Sequence, residues 1–192
     1  MLCHSRPGRG AGARGYTLVD SMFAVATACV LAAATVPQLT TGVERARTSG
    51  AARYLAGRLS FARSQAVARS ANVAVALTAE GSTFTVAMYA DGNGNGVRTR
   101  DISAGLDPVI EKPVRLSDLF PHVVLSLNDP ADTSTPDTSA LMSFSPIGTA
   151  SSRTLYLRGR DNSQYAVRVL GATGRTRVLR YVASTREWVE VL

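Results

Sequence analysis

A run of 21 residues, 16–36, is apolar apart from small hydroxyl side chains and one acid, Asp20. It directly follows a segment, 1–15, that carries Arg6, Arg9 and Arg14 and no acid. At roughly 1.5 Å of rise per residue, a helix of this length spans about 30 Å, the thickness of a bilayer's hydrocarbon core. Positive charge ahead of the span predicts that the leader stays cytoplasmic while everything after it is translocated. An ordinary secretory signal competes with this reading, with Ala32-Ala33-Ala34 as its cleavage site. A plain single-pass anchor is a second competitor.

Charge is distributed in blocks. Residues 41–70 hold six Arg and one Glu, residues 71–150 hold four Arg/Lys against nine acids, and residues 151–192 hold eight Arg against three. Lys112 is the only lysine, so the positive charge is guanidinium, which persists at any useful pH and grips phosphate or carboxylate bidentately. The basic ends make anionic partners plausible and decide nothing further. Cys3 falls in the leader and Cys29 in the apolar run, leaving no disulfide within the rest of the chain. His4 is in the leader, and His122 has no Cys, Asp or second His at ligand spacing.

Beyond Pro37 the helical pattern continues to about residue 70. Leu55, Leu59, Ala62 and Ala66 fall on one stripe able to cover a sheet, while Arg45, Arg47, Arg53, Arg58, Arg63 and Arg69 take mostly other positions. From residue 72 the period changes. Short β-rich runs at 72–78, 83–89, 123–127, 141–144, 154–157, 165–170, 177–182 and 188–191 are separated by Gly, Pro, Asn, Asp and Ser. One long N-terminal helix followed by many short strands predicts an α+β fold, the helix packed on an antiparallel β-sheet head. Residues 128–139 read as a surface loop. The expected organisation is a leader at 1–15, a transmembrane helix at 16–43 and a head at 44–192.

Two stretches are candidates for binding. Asp91-Gly92-Asn93-Gly94-Asn95-Gly96 places oxygen ligands at positions 1, 3 and 5 and Gly at 6, as an EF-hand loop begins. Position 12 is Ile102, with Asp101 one place early, so the candidate calcium ligands are Asp91, Asn93, Asn95 and Asp101. The competing reading is a flexible hairpin tip. In the second stretch, Arg175 and Arg177 lie two apart and point the same way on an extended chain, with Arg168 and Arg180 nearby. Such a cluster would neutralise phosphates without reading sequence. Alternatively these arginines pair with Glu187, Glu190 or the acidic middle of the chain. No Gly-x-Ser-x-Gly elbow, His-Glu-x-x-His or Gly-x-x-x-x-Gly-Lys is present, so nothing points to an enzyme and no cofactor beyond the candidate calcium is expected.

The junction Arg14-Gly15-Tyr16-Thr17-Leu18-Val19-Asp20 resembles the prepilin cleavage and methylation motif. Ala62-Arg63-Ser64-Gln65-Ala66, the Asp-rich loop after the second strand, Phe144-Ser145-Pro146-Ile147-Gly148 and Gly174-Arg175-Thr176-Arg177 resemble the FimT/GspH branch of minor type IV pilins and type II secretion pseudopilins. The resemblance implies cutting after Gly15 by prepilin peptidase, methylation of Tyr16, and a helix kinked at Pro37. Asp20 would then serve assembly as the membrane-embedded carboxylate, a position where the family usually has Glu. The implied place is the inner membrane with a periplasmic head, then a pilus or pseudopilus, with other pilins or pseudopilins as partners. In FimT-type pilins a Gly-Arg-x-Arg motif is associated with DNA binding. The expected function is a minor pilin for pilus assembly or priming that contacts double-stranded DNA during uptake. The alternative is a minor pseudopilin of a type II secretion system, and a third reading is an anchored ligand-binding module with no filament role.

Overall fold

The computed structural model describes residues 17–81, 83–127 and 138–191, with helix backbone alone at 34–40. The chain divides into two compact units, Met1–Thr40 and Thr41–Leu192. Its elements are α1 (Leu18–Arg69), β1 (Val73–Glu80), β2 (Thr83–Ala90), α2 (Thr99–Ser103), β3 (Val109–Arg115), α3 (Leu116–Leu119), β4 (Val124–Ser126), β5 (Ser139–Phe144), β6 (Arg153–Arg158), β7 (Gln164–Leu170), β8 (Arg175–Val182) and β9 (Glu187–Glu190).

α1 opens on a reciprocal cap. The Thr17 hydroxyl and backbone N–H both donate to Asp20 Oδ2, at 2.7 and 3.1 Å, and the Asp20 N–H donates to Thr17 Oγ1 at 3.3 Å. This satisfies donors that the first helical turn otherwise leaves without partners. In this first unit Leu18, Val19, Met22, Phe23, Val25, Val30 and Leu31 are all exposed. Among the described residues no helix is long and apolar enough to cross a membrane. The leader, Gly15, Tyr16 and the side chains at 34–36 lie outside the described residues, so the expected span reaches past them at both ends.

In the second unit α1 contributes a stripe of small and medium side chains. Ala51, Ala52, Leu55, Ala56, Leu59, Ala62 and Ala66 are each buried to within a few per cent. Four of these are the predicted stripe, and the additional alanines let the helix backbone lie close to what it covers. It covers two antiparallel sheets rather than one, ordered β3-β2-β1-β5 and β4-β6-β7-β8-β9. In the first sheet Val75 sits opposite Met88 and Met142, and Val73 opposite Phe144, all in the core. In the second, Leu125, Leu157 and Tyr165 align across three strands, as do Leu155, Val167 and Val178. Each such side chain contributes about 1.5–3 kcal/mol by leaving water.

The unforeseen elements are β3, α2 and α3. β3 has no alternating burial and carries Pro113, which has no N–H for a ladder. It is tolerated because β3 lies at a sheet edge and meets β2 through register shifts. Arg58 of α1 pairs with Glu111 of β3 and lies 5.0 Å over the Tyr54 ring, tying that edge to the helix. β5 begins at Ser139, earlier than its apolar run suggested, while residues 128–137 of the anticipated loop lie outside the described residues.

Leu59 is 1 % exposed in the middle of the stripe. Leu59→Ala should destabilise the fold by about 2–5 kcal/mol, measured by denaturant unfolding, with the slope m unchanged.

Candidate functional site

Three separate sequence motifs meet at Arg63. Its Nε donates to the Gly148 carbonyl at 3.3 Å. A Cβ added at Gly174 would lie 2.5 Å from that same carbonyl oxygen and 3.0 Å from the Arg63 side chain. Gly148 and Gly174 both have positive φ, 85° and 59°, a region in which glycine is unstrained. The turn containing Gly148 is further fixed by Ser145 and Thr149, whose hydroxyls lie 2.7 Å apart. The Ala150 N–H donates to the Gly171 carbonyl at 2.8 Å, joining this turn to the one that starts β8. The glycine of Gly174-Arg175-Thr176-Arg177 is therefore a packing requirement, and it sets where the two arginines begin their strand.

Strand alternation and register place the predicted arginines on two faces of the second sheet. Arg177 stands opposite Arg168, and Arg175 opposite Leu170, so Arg168, Arg175 and Arg177 share the outward face. Arg158 joins them on β6. Arg175 and Arg168 are exposed; Arg168 Nε also donates to Thr154 Oγ1 at 3.3 Å. Arg177 Nη1 is 3.1 Å from Glu190 Oε2, an exposed pair worth at most about 1 kcal/mol. Arg180 does not join this set. It stands opposite Tyr165 on the inward-pointing register, and with Arg45, Asp161, Gln164 and Tyr181 it lines a groove of about 440 Å³.

The outward face also carries three aromatic rings that sequence reasoning did not single out. Trp188 lies 5.8 Å from Tyr156 and 5.3 Å from Tyr181 between ring centroids, both tilted, a favoured arrangement for aromatic pairs. Their signal in the sequence is the alternation Tyr156-x-Arg158 and Arg177-x-Leu179-x-Tyr181, which assigns rings and guanidinium groups to one face once the strands are known.

The Asp91 loop is closed by its own hydrogen bonds. Asp91 Oδ1 accepts from the N–H groups of Asn93 and Gly94 at 3.3 and 2.7 Å, and Oδ2 from Gly96 N–H and the Asn72 amide at 2.8 and 3.0 Å. Burial pushes the Asp91 carboxyl up, but these donors outweigh it and hold the group below the ordinary carboxylate range. Buried Asp107 accepts from Gly92 N–H at 3.1 Å and Arg98 N–H at 3.0 Å. Asp101, on α2, is 5 % exposed and faces the side chains of Asn95 and Asn93. Burial raises its carboxyl too, and those amides together with Arg100 bring it below the usual range. Among the described residues no group of three or more His, Cys, Asp or Glu is placed to hold a metal.

The model of one family, Type II transport protein GspH, matches residues 51–174. The match contains the α1 stripe, Arg63, the Asp91 loop and Gly174. The chain belongs to the GspH-like family of minor pseudopilins and minor pilins, structural subunits of the cell envelope that assemble with other pilin-like chains. Among solved structures it is similar to the minor pseudopilin EpsH from the type 2 secretion system of Vibrio cholerae, at 13% identity and TM-score 0.45, covering 70% of this chain and 97% of that one. It is also similar to the type IV minor pilin FimU of Pseudomonas aeruginosa PAO1, at 15% identity and TM-score 0.45, covering 69% of this chain and 88% of that one. No curated protein matches the chain.

The contact at Gly174 yields a test. Gly174→Ala should destabilise the fold by about 1–3 kcal/mol in denaturant unfolding, because alanine meets both a strained φ and the Gly148 carbonyl. Arg175→Ala, on an exposed side chain, should change stability by less than about 0.5 kcal/mol.

Proposed function

We propose that the protein is a minor type IV pilin that helps start or cap a filament and contacts double-stranded DNA through the outward face of its second sheet. The observation that carries the DNA part is the set Arg158, Arg168, Arg175 and Arg177 on that face, opposed there among the described residues by Glu190. Guanidinium groups in this arrangement neutralise phosphates along a backbone without selecting bases. A phosphate approaching Arg177 would replace Glu190, a weak exposed partner. Arg180, on the other register, is left out of this surface.

The assembly part rests on family membership and on α1. The filament reading takes residues 16–43 as the segment inserted among neighbouring helices in the inner membrane, after prepilin peptidase cuts at Gly15 and Tyr16 is methylated. Exposed Leu18, Val19, Met22 and Phe23 supply apolar surface for such packing. Asp20 is one methylene shorter than the usual Glu and already accepts from Thr17. Its recruitment of a neighbour's N-terminal ammonium competes with this local cap, which suits a scarce subunit better than a bulk one.

A second reading, a minor pseudopilin of a type II secretion system, is favoured by the description of the matching family. A deletion strain separates the two: lost piliation or transformation supports the pilin, lost exoprotein release the pseudopilin.

For the DNA contact, the head at residues 44–192 should bind duplex DNA at low salt and release it steeply as salt rises. Arg175→Ala/Arg177→Ala should weaken binding by at least about tenfold and flatten the salt dependence by about two phosphate contacts, whereas Arg180→Ala should leave both unchanged. Absence of binding at low salt would overturn the DNA reading and leave the assembly role standing.

A further inference from the structure

Among the described residues, the loop between β2 and β3 contains one buried carboxylate oxygen without a hydrogen-bond partner. Asp101 Oδ2 is fully buried and accepts no hydrogen bond, although the residue's other oxygen, Oδ1, is 3.2 Å from Arg100 Nε. A buried carboxylate oxygen without a donor has lost its hydration and gained nothing in exchange. Such an atom asks for an explanation, and a bound ion that completes it is one. The side chains that this carboxylate faces are Asn95 and Asn93, and those two alternate with Asp91 along the loop.

We propose that residues 91–101 form a calcium site, with Asp91, Asn93, Asn95 and the buried Asp101 supplying oxygen ligands. The sequence pattern asks for an acid at the twelfth loop position and finds Ile102. Winding of α2 answers the mismatch: it buries Asp101, one residue earlier, and turns it toward the two asparagines. Each asparagine carbonyl oxygen has two acceptor sites. Asn93 Oδ1 uses one for the Asn95 N–H, at 3.1 Å, and keeps the other. Asp91 already accepts four donors, three of them backbone N–H groups that shape the loop; the fourth, the Asn72 amide at 3.0 Å, sits on a side chain that can swing away when a cation arrives. Asp107 is not a ligand in this scheme. Both its oxygens are taken by backbone N–H groups of Gly92 and Arg98, and it holds the two ends of the loop together.

The chemistry of the set selects the ion. Two carboxylates and two amide oxygens are hard oxygen donors without sulfur or imidazole, which excludes a preference for zinc or copper. Calcium accepts six to eight oxygens in irregular geometry, whereas magnesium requires a near-octahedral shell and keeps its waters, so calcium fits better. With only two formal negative charges and Arg100 beside one of them, affinity belongs to the weak class, a Kd on the order of 10⁻⁴–10⁻³ M, the class found in extracellular modules. The bound ion would fasten the β2–β3 connection to α2 at the end of the first sheet, on elements that contain none of the outward-face arginines. The site is therefore independent of the DNA reading.

The test is thermal unfolding of the full chain in detergent micelles, with calcium or magnesium chloride raised to about 10 mM, backed by calorimetric titration. The wild type should show a calcium-dependent rise in Tm that saturates with the Kd given above, and magnesium should produce at most a small fraction of it. Asp101→Asn should abolish the calcium-dependent rise. Asn95→Ala, on an exposed loop side chain whose backbone bonds stay intact, should weaken calcium by at least about tenfold while folding normally. No calcium-dependent rise in the wild type, or an undiminished rise in Asn95→Ala, would overturn the proposal.

Discussion

Everything in the second unit depends on how closely a helix can approach two sheets. The α1 stripe is mostly alanine, with Leu55 and Leu59 between, and every one of these residues is buried. Alanine contributes little area itself but costs no side-chain entropy and permits close contact. The bulk that fills the core therefore comes from the strands: Phe144, Met88, Met142, Leu155, Leu157 and Val167. Larger residues at the alanine positions would push both sheets away together, since one stripe serves both. The helix is thus the common wall of the unit.

Arg63 shows how that wall positions loops as well. It leaves the stripe, reaches the Gly148 carbonyl and lies against Gly174. Three sequence fragments that look loose when read apart become one packing unit when the chain folds. This contact lies at the start of β8, and the β7–β8 register then gives Arg175 and Arg177 their outward direction. The same strand sends Arg180 to the other side, into a groove with Arg45 and Asp161. Neighbouring arginines on one strand thus serve different surfaces.

Much of this was readable in the chain. The α1 stripe rested on a clear helical period, and eight of the nine strands on short β-rich runs between turn residues. β3 was hidden because an edge strand needs neither alternation nor a full set of N–H donors, and Glu111-Lys112-Pro113 offers neither. The division of the strands into two sheets was also hidden, because pairing partners such as β1 and β5 are far apart in sequence. Spacing gave the shared side of Arg175 and Arg177, but the separation of Arg180 from Arg168 required the register. The aromatic trio needed still more, since Tyr156 and Trp188 meet across intervening strands. At the loop, the pattern gave Asp91, Asn93, Asn95 and Asp101, and the winding of α2 explains how Asp101 comes to face the two asparagines.

Intact-mass spectrometry of the protein extracted from its native membranes tests most directly whether this chain is processed and assembled as a filament subunit. A filament subunit should begin at Tyr16, lack residues 1–15 and carry one added methyl group on its N-terminus. A chain with its leader intact, or one cut after Ala34, would contradict this: the first would make the protein a plain membrane anchor, the second a released soluble head.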